Sequence, residues 1–312
     1  MAVEIISDFS AADMLQYRKE SLDFLRVNLP FMQACLPATL SKHSGKNVQA
    51  WRIGTLAAAT TPLTEGSVPS TNNISSSLFS ATLAQYGNVT QYSDMLELVG
   101  PGSFAMQGAK VHGYNAALTL NTLILTEFES GATLIYANNT DANTFDATSI
   151  MSGKEIRRAT KRFRAKNVPG FIEDGLFRFY IHPDCEFDIV TDDNYGSLTD
   201  LQKRDPDPIK WKNISAVYGG CAIYQSSLIG TTTVGTTTAY KNIVVGYGAQ
   251  IAYDLSGMPL QVFNSPPSNI NQANPIGQIG ALGWKIAFVT DNIGSDGPRS
   301  YQVRAAATEP TA

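Results

Sequence analysis

The stretch Thr60-Thr61-Pro62-Leu63-Thr64-Glu65-Gly66-Ser67-Val68-Pro69 occupies the middle of a long β-rich segment, residues 48–93. A first limb, 48–56, precedes it, and a return limb, 78–92, alternates polar and apolar residues. Because Pro and Gly interrupt regular structure, the pattern predicts two antiparallel limbs joined by a long turn. Limbs of about 18 residues could extend roughly 60 Å, whereas a compact chain of this size has a radius of gyration of about 20 Å. We therefore expect this segment to fold back or to reach another subunit.

Charged residues are scarce and unevenly distributed along the chain. Asp, Glu, Lys and Arg make up 16% of the 312 residues, with a formal net charge of -4, whereas soluble chains average about 25%. Glu65 is the only acid or base in residues 53–93, and Lys241 is the only one in residues 215–253. Residues 255–284 contain none. Because protein interfaces are depleted in Lys, Glu and Asp, we expect these neutral stretches to contact other protein.

Several classes of protein are disfavoured by simple features. The N-terminus is acidic and lacks the basic and apolar regions of a signal peptide, and no apolar run approaches the roughly 20 residues of a membrane span. Cys35, Cys185 and Cys221 are far apart and odd in number, so they predict neither a disulfide framework nor a zinc site. We expect synthesis in a reducing cytosol. The net negative charge argues against a protein that coats nucleic acid.

Apolar spacing predicts a long helix over residues 103–130, with Ser103 as its N-cap. His112, in its middle, is expected to be a packed or hydrogen-bonded core residue. A further helix is predicted over residues 10–28. One apolar stripe of the long helix contains Val111, Tyr114, Leu118, Leu125 and Phe128. A second stripe contains Leu120, Leu123 and Ile124. We expect the long helix to be buried on more than one side.

A basic helix is predicted over residues 152–166, with a thin apolar face. Its cations of interest are Arg157, Arg158, Lys161, Arg162 and Arg164. Three interpretations are open: a solvated face, pairing with acids on a neighbouring subunit, or contact with DNA. A solvated face is the default, since charge runs usually face water, and no interleaved aromatics indicate stacking on bases.

The remaining segments predict short strands. Residues 176–181 and 187–190 have the composition of buried strands, and 219–253 predicts several strands with a Thr-rich loop at 231–238. Residues 284–289 and 301–305 predict two final strands around a Gly- and Pro-containing turn.

Motifs for catalysis or cofactor binding are absent from the sequence. It contains no GxSxG, HExxH or P-loop pattern. His182, Asp184 and Glu186 would share one face of an extended segment and could ligate a metal. A strand end with exposed acids is the favoured interpretation, because so short a segment supplies no supporting shell. We therefore expect no catalytic residue, no metal and no cofactor.

Three segments resemble major capsid proteins of tailed phages, in the family typified by that of coliphage N-four. They are residues 60–69 quoted above; Ala81-Thr82-Leu83-Ala84-Gln85-Tyr86-Gly87 continuing to Tyr92-Ser93-Asp94; and Ile181-His182-Pro183-Asp184 with Phe187-Asp188. Gly283-Trp284-Lys285 near the end adds to the likeness. The order of elements is similar to that of the HK97-type capsid fold.

The resemblance implies an α+β, HK97-type capsid fold with a defined domain order. An N-terminal arm would comprise residues 1–47, an extended β-hairpin loop 48–93, and a peripheral domain 94–170 that contains the long spine helix 103–130. An axial domain would comprise 171–283, and C-terminal strands, 284–312, would return to the peripheral domain.

The same resemblance implies a structural protein and not an enzyme. Hexamers and pentamers of one chain would form the icosahedral head shell of a phage around double-stranded DNA, contacted without sequence specificity. The expected partners are further copies of the chain, the portal protein, a cement or decoration protein, and a scaffold. Because few residues precede the extended loop, we expect either a separate scaffold protein or prior cleavage of a longer N-terminus. Met1 at the start favours the separate protein. The expected location is the virion, after assembly in the host cytoplasm, without membrane contact.

Contacts between subunits are expected from the extended loop. The residues assigned to these contacts are Leu63, Glu65, Val68, Pro69, Leu78, Phe79, Leu83 and Tyr86. The cations of the basic helix listed above would face a neighbouring subunit or the DNA. An encapsulin-type cellular shell protein and another β-rich virion protein are the alternatives.

Overall fold

A computed structural model describes residues 30–43, 45–54, 56–66, 68, 71–99, 104–191, 216–270, 274–292 and 299–310. The helix predicted at 10–28 and the cap predicted at Ser103 lie outside these residues. The helices are α1 (Asp94–Val99), α2 (Phe104–Gly131), α3 (Gly153–Ala165) and α4 (Pro183–Thr191). The strands are β1 (Leu36–Leu40), β2 (Asn47–Ile53), β3 (Ser76–Thr82), β4 (Ala84–Ser93), β5 (Thr133–Tyr136), β6 (Phe177–Ile181), β7 (Ala216–Tyr218), β8 (Cys221–Gln225), β9 (Thr231–Val234), β10 (Thr237–Val245), β11 (Gln250–Leu255), β12 (Gln261–Ser265), β13 (Ile279–Asn292) and β14 (Ser300–Ala305).

A five-stranded sheet is organised around the 14-residue strand β13. One edge of β13 pairs with β4. The other edge pairs with β12 along residues 281–285 and with β11 along residues 288–292. These pairs are antiparallel, and β1 adds a parallel strand to β11. The return limb of the β-rich segment therefore does not project as a whole, because its second part, β4, is a strand of this sheet.

A seven-stranded sheet has the order β5-β14-β10-β6-β8-β7, with β9 paired to β10. Helices α3 and α4 pack on one face, where Ile156 and Phe163 of α3 share a core with Phe177 and Phe179 of β6. Tyr180 of β6 belongs to the core on the opposite face. Because β6 is covered on both sides, all five of its residues are buried. Its continuous apolar and aromatic sequence fits a central strand.

Helix α2 joins the two sheets. Its C-terminal half contributes Leu120, Ile124 and Phe128 to one core with residues of both sheets, including Trp284 of β13 and Tyr180 of β6. Its N-terminal half lies close against β13. A β-carbon added at Gly108 would be 2.6 Å from Leu282 Cδ1, so the close approach depends on a glycine there.

The first half of the apolar stripe predicted on α2 is wrong. Val111 is 67% exposed and Tyr114 is 50% exposed, whereas Ala109, Ala116 and Ala117 are buried. The helix approaches β13 so closely that small residues fill the interface, and the larger apolar residues face outward. Side-chain size and spacing alone therefore gave the wrong face in this half, although Leu125 and Phe128 of the same predicted stripe are buried.

Polar contacts also attach α2 to the five-stranded sheet. His112 is buried, its Nε2 lies 2.7 Å from Thr90 Oγ1, and burial lowers its pKa. This confirms the expectation of a hydrogen-bonded core histidine. Asn115 Oδ1 accepts hydrogen bonds from the Trp284 indole at 2.9 Å and from Asn88 Nδ2 at 3.2 Å. One side chain thus connects α2, β13 and β4.

The strand predicted at residues 187–190 is wrong, because the segment is helix α4. Pro183 occupies the first helical position, which suits its fixed φ, and Asp184 and Glu186 lie in the first turn, where acids are favoured. Cys185 and Ile189, four residues apart, pack on the seven-stranded sheet. The short length of the segment and its aromatic and β-branched residues had favoured a strand.

The Thr-rich loop predicted at 231–238 is also wrong. Strands β9 and β10 extend into it and pair at Val234 and Thr237, so only Gly235 and Thr236 form the turn. Gly235 has φ of 61°, which glycine adopts without strain. The β-branched threonines suit these strands.

The two sheets recruit strands from across the predicted domain boundaries. Strands β11 and β12, from residues 171–283, belong to the five-stranded sheet, together with β13. Strand β5, from residues 94–170, and the C-terminal strand β14 belong to the seven-stranded sheet. Sequence order therefore does not separate the two sheets.

Candidate functional site

The candidate site is the hairpin of β2 and β3, which forms a two-stranded sheet separate from the two larger sheets. Seven antiparallel residue pairs form its ladder, from Asn47 opposite Thr82 to Ile53 opposite Ser76. Beyond the last pair, the Gly54 amide donates to Ser75 O at 2.8 Å. The connection 54–75 has no helix or strand among its described residues. The ladder thus supports a long connection at its far end.

The two faces of the hairpin differ in exposure because strand side chains alternate. On the inner face, Val48 is buried and Phe79 is partly buried. On the outer face, Trp51 is 70% exposed, its partner Leu78 is 45% exposed, and Ile53 is exposed as well. Trp51, Leu78 and Ile53 thus form an exposed apolar patch, a feature typical of interaction sites.

The connection 54–75 is exposed and mostly neutral. Leu63 is exposed, Val68 is 91% exposed, and Glu65 is exposed beside Gly66, which has φ of 77°. Pro69, assigned to the same contacts, lies outside the described residues. The connection therefore offers apolar side chains and one carboxylate.

The base of the hairpin is fixed to the body of the chain. Leu83 is buried, and its amide donates to Lys46 O at 2.9 Å. Tyr86, in β4, packs against the core shared by α2 and both sheets. Leu83 and Tyr86 thus hold the hairpin in place, whereas Leu63, Glu65, Val68 and Leu78 face outward.

Further exposed apolar residues lie in the hairpin or close to it along the chain. The sequence pattern did not indicate them as contact residues. Trp51 and Ile53 belong to the hairpin, while Met95 and Leu98 belong to α1 and are exposed as well. The alternation in β2 contained the signal for Trp51 and Ile53, since these residues occupy every second position. Which face would be covered depends on the tertiary structure.

Helix α3 presents the predicted basic surface. Its buried face includes Ile156, Ala159 and Phe163, as the sequence indicated. Arg158 differs from the other four cations because it pairs with Glu155, which is buried, and donates to Tyr136 O at 3.4 Å. Glu155 also accepts from the Asn138 amide at 3.2 Å. Arg158 therefore stabilises the fold locally.

The four other cations, Arg157, Lys161, Arg162 and Arg164, are exposed. No carboxylate in the described part of the chain lies within ion-pair distance of them. Two of them rest near aromatic rings: the Arg157 guanidinium is 5.1 Å from the Tyr218 ring centre, and that of Arg162 is 5.9 Å from the Tyr301 ring centre. These four residues form a surface of unpaired positive charge, here called the basic face.

The His182 segment is a structural cluster. The carboxylate of Asp184 accepts a hydrogen bond from Tyr240 OH at 2.6 Å, and His182 Nδ1 lies 3.6 Å from the same carboxylate oxygen. Because α4 is helical, Asp184 and Glu186 do not share a face as they would in a strand. Among the described residues, no three His, Cys, Asp or Glu side chains are placed to hold a metal ion.

Cys35, Cys185 and Cys221 are buried free thiols, and burial raises the pKa of Cys221 to about 11. None of the helices in the described ranges combines the length and apolar character of a membrane span.

Solved phage capsid structures share this fold. A chain from the capsid of cyanophage P-SCSP1u has 14% identity and a TM-score of 0.66, with 90% of this chain and 89% of that chain covered. A chain from the capsid of Ralstonia phage GP4 has 12% identity and a TM-score of 0.67, covering 91% and 93%. A chain from the head of Helicobacter pylori bacteriophage KHP40 has 8% identity and a TM-score of 0.62, covering 91% of each.

Sequence comparison alone finds no such relatives: no family model matches this chain, and no curated protein matches it. At identities this low the relationship is one of fold. The matches span about nine-tenths of both chains. The chain therefore has the fold of the chains that form these phage capsids.

Proposed function

We propose that this chain is the major shell-forming protein of a tailed-phage head. Copies would associate as hexamers and pentamers and tile an icosahedral shell around double-stranded DNA. The main support is a fold shared with phage capsid chains over about nine-tenths of its length. The exposed apolar hairpin supports the same role, because monomeric soluble proteins rarely expose large contiguous apolar patches.

In this proposal the elements take HK97-type roles. The hairpin β2–β3 with its connection is the extended loop, α2 is the spine helix, and residues 1–47 contain the N-terminal arm. The five-stranded sheet and the first half of α2 form the peripheral domain. The seven-stranded sheet with α3 and α4 forms the axial domain. This assignment groups strands by the sheet to which they belong and not by the boundaries predicted along the sequence. Kinship with the coliphage N-four family rests on the motifs at 60–69 and 81–94.

The contacts between copies are assigned to the outward-facing hairpin residues. Leu63, Glu65, Val68 and Leu78 are retained from the sequence prediction, with Pro69 included on sequence grounds. Trp51 and Ile53 join them because they are exposed on the same hairpin. Phe79, Leu83 and Tyr86 are assigned to support of the hairpin. Burial of one large apolar side chain contributes roughly 1.5–3 kcal/mol, and a closed shell repeats each contact many times.

The chemistry of the role is association without catalysis. The proposed partners are further copies of the chain, the portal protein, a separate scaffold, a cement or decoration protein, and packaged DNA bound without sequence specificity. Assembly would occur in the host cytoplasm, and the product would be the virion.

The proposal is tested by expressing the intact chain and a variant whose connection 54–75 is replaced by Asn-Gly. The two-residue turn preserves the ladder of β2 and β3. We expect the intact chain to sediment as capsomers or particles visible by negative-stain electron microscopy. We expect the variant to remain a subunit with an unchanged melting temperature.

Ile172→Ser, which changes an exposed apolar residue outside the hairpin, is the control and should assemble normally. Full-sized particles from the shortened variant would refute the hairpin assignment. An intact chain that stays monomeric at all concentrations, with or without a co-expressed scaffold, would refute the shell function.

A further inference from the structure

We propose that Glu65 of one copy forms an ion pair with the basic face of α3, centred on Lys161, of a neighbouring copy. This inference rests on the proposed self-assembly and names a specific contact within it. It also assigns the basic face to protein contact instead of DNA contact.

The first observation is the unpaired charge of the basic face. Arg157, Lys161 and Arg164 follow one another at helical spacing on the exposed side of α3. The single acid of the helix, Glu155, is buried and already pairs with Arg158. Like charges this close repel one another, so an external carboxylate would relieve the repulsion.

The second observation is the isolation of Glu65. It is the only acid or base in residues 53–93, so the connection contains one charge in a neutral, partly apolar segment. The side chain is exposed and has no ion pair with any described residue. A contact would therefore depend on this one carboxylate and not on a general negative charge of the segment.

The third observation is the distance that the connection can span. The ladder ends at Ile53 and Ser76, and Glu65 is at the midpoint of the connection between them. Each half of the connection could extend up to roughly 35 Å past the ladder. A segment of this contour length is long enough to place the carboxylate against a neighbouring copy.

Charge complementarity favours a second copy over DNA as the occupant. The exposed acid of the hairpin and the unpaired cations of α3 have opposite sign, and both belong to the same chain, so every copy supplies both partners. Contact with DNA would leave Glu65 unexplained. Partly desolvated charge pairs in interfaces contribute mainly to specificity and register, which is what a shell of identical subunits requires.

Zero-length coupling tests the contact directly. A carbodiimide activates the Glu65 carboxylate, the Lys161 amine attacks it, an amide bond forms, and the activating group leaves as a urea. In purified wild-type particles we expect covalent subunit ladders and, by mass spectrometry, a linked peptide that joins Glu65 to Lys161. Glu65→Gln should abolish that peptide, whereas Glu309→Gln, at an exposed acid of the C-terminal tail, should leave it unchanged.

Charge reversal tests the energetic contribution. We expect Glu65→Lys and Lys161→Glu each to lower particle yield about tenfold, and the double variant to restore yield to within about threefold of wild type. Glu309→Lys is the matched control and should have no effect. Melting temperatures of the unassembled subunits verify folding, and Glu65→Gln serves as a milder variant if a reversal disrupts the fold.

The outcomes separate this inference from the proposed function. Particles that form normally but give no Glu65–Lys161 peptide, with no restoration in the double variant, overturn the inference and leave the shell function intact. Normal assembly of Lys161→Glu with reduced nucleic-acid content would overturn it in favour of DNA contact. If the wild-type chain forms neither particles nor capsomers, both fail.

Discussion

Trp51 in β2 lies directly opposite Leu78 in β3, and both side chains are exposed on the outer face of the hairpin. Directly opposed residues have β-carbons about 5 Å apart and form one apolar surface. The ladder holds this pair in register, so the surface is preformed. The proposed contact with a neighbouring subunit would use this preformed apolar surface.

Trp51→Ser should impair assembly without destabilising the subunit. The tryptophan contributes little to the fold while exposed, but its burial at an interface would contribute about 1.5–3 kcal/mol. We expect the concentration required for assembly to rise about tenfold or more, measured by light scattering. Ile172→Ser is the control at an exposed site outside the hairpin. An unchanged threshold for Trp51→Ser would exclude this residue from the contact.

Gly283→Ala should destabilise the subunit, because β4 lies too close to accept a β-carbon. The added atom would lie 2.8 Å from Asn88 O and 2.9 Å from Val89 Cγ2, and the backbone oxygen cannot yield easily. Overpacking of this kind costs about 1–3 kcal/mol. Gly230→Ala is the matched control, since nothing lies within 4 Å of its added β-carbon. Equal urea midpoints for the two variants would contradict the predicted overlap.

Asn115→Leu should destabilise the subunit through the loss of a hydrogen bond to a buried indole. Trp284 would retain a buried N–H without the acceptor that it has at 2.9 Å, a loss that costs about 1–3 kcal/mol. In a double-mutant cycle with Trp284→Phe, the cost of Asn115→Leu should shrink, because the indole N–H is gone. If the losses of unfolding free energy of the two single variants simply add in the double variant, as measured by chemical denaturation, the contact is contradicted.

The stability of the subunit should depend on the pH through Glu127 and Asp291. Burial raises the pKa of both carboxyl groups, and the Asp291 carboxylate raises that of Glu127 further. A raised pKa in the folded state means that the protonated form is favoured by folding. The associated stability is fully present below the unfolded pKa of about 4 and is lost as the pH rises through the folded-state pKa.

Asp291→Asn should therefore stabilise the subunit at pH 7 and lose its advantage near pH 4. Thermal unfolding of the unassembled subunit across this range measures the difference. Glu65→Gln, at an exposed carboxyl group that has no ion pair with any described residue, is the control in the unassembled subunit and should show no such trend. A stabilising effect of Asp291→Asn that is equal at both pH values would refute the role of the carboxylate charge.

Helices were predicted well where local spacing decides them. The apolar face of α3 was correct because Ile156, Ala159 and Phe163 recur at helical spacing among cations. The position of helix α2 was predicted correctly, but the exposure of Val111 and Tyr114 was not. A helix that packs closely on a strand buries small residues, and size alone does not reveal which neighbour comes close.

Short segments were misassigned for a related reason. Residues 187–190 have strand-like composition, but Pro183 starts a helix whose Cys185 and Ile189 meet the seven-stranded sheet. In the Thr-rich segment, the pairing of β9 with β10 converts an expected loop into strands. In both cases packing with other elements outweighs a weak local preference.

The candidate site was partly accessible from the sequence. The scarcity of charge in residues 53–93 indicated a contact surface, and the structure exposes Leu63, Val68 and Leu78 there. Leu83 and Tyr86 are instead buried or packed on the chain's own core. Their alternation with polar residues resembles that of the outer hairpin. Tyr86 is distinguished by the pairing of β4 with β13, and Leu83 by its burial at the base of the hairpin.

The sequence by itself determined the positions of the long and basic helices and the length of the neutral segment 53–93, because these follow from local spacing and composition. Only the tertiary structure decided that β4 pairs with β13 while β2 and β3 form a separate two-stranded sheet. Strand pairing joins residues that are far apart along the chain, and local patterns do not specify such partners. The same pairing decided which apolar residues the chain covers itself and which it leaves exposed.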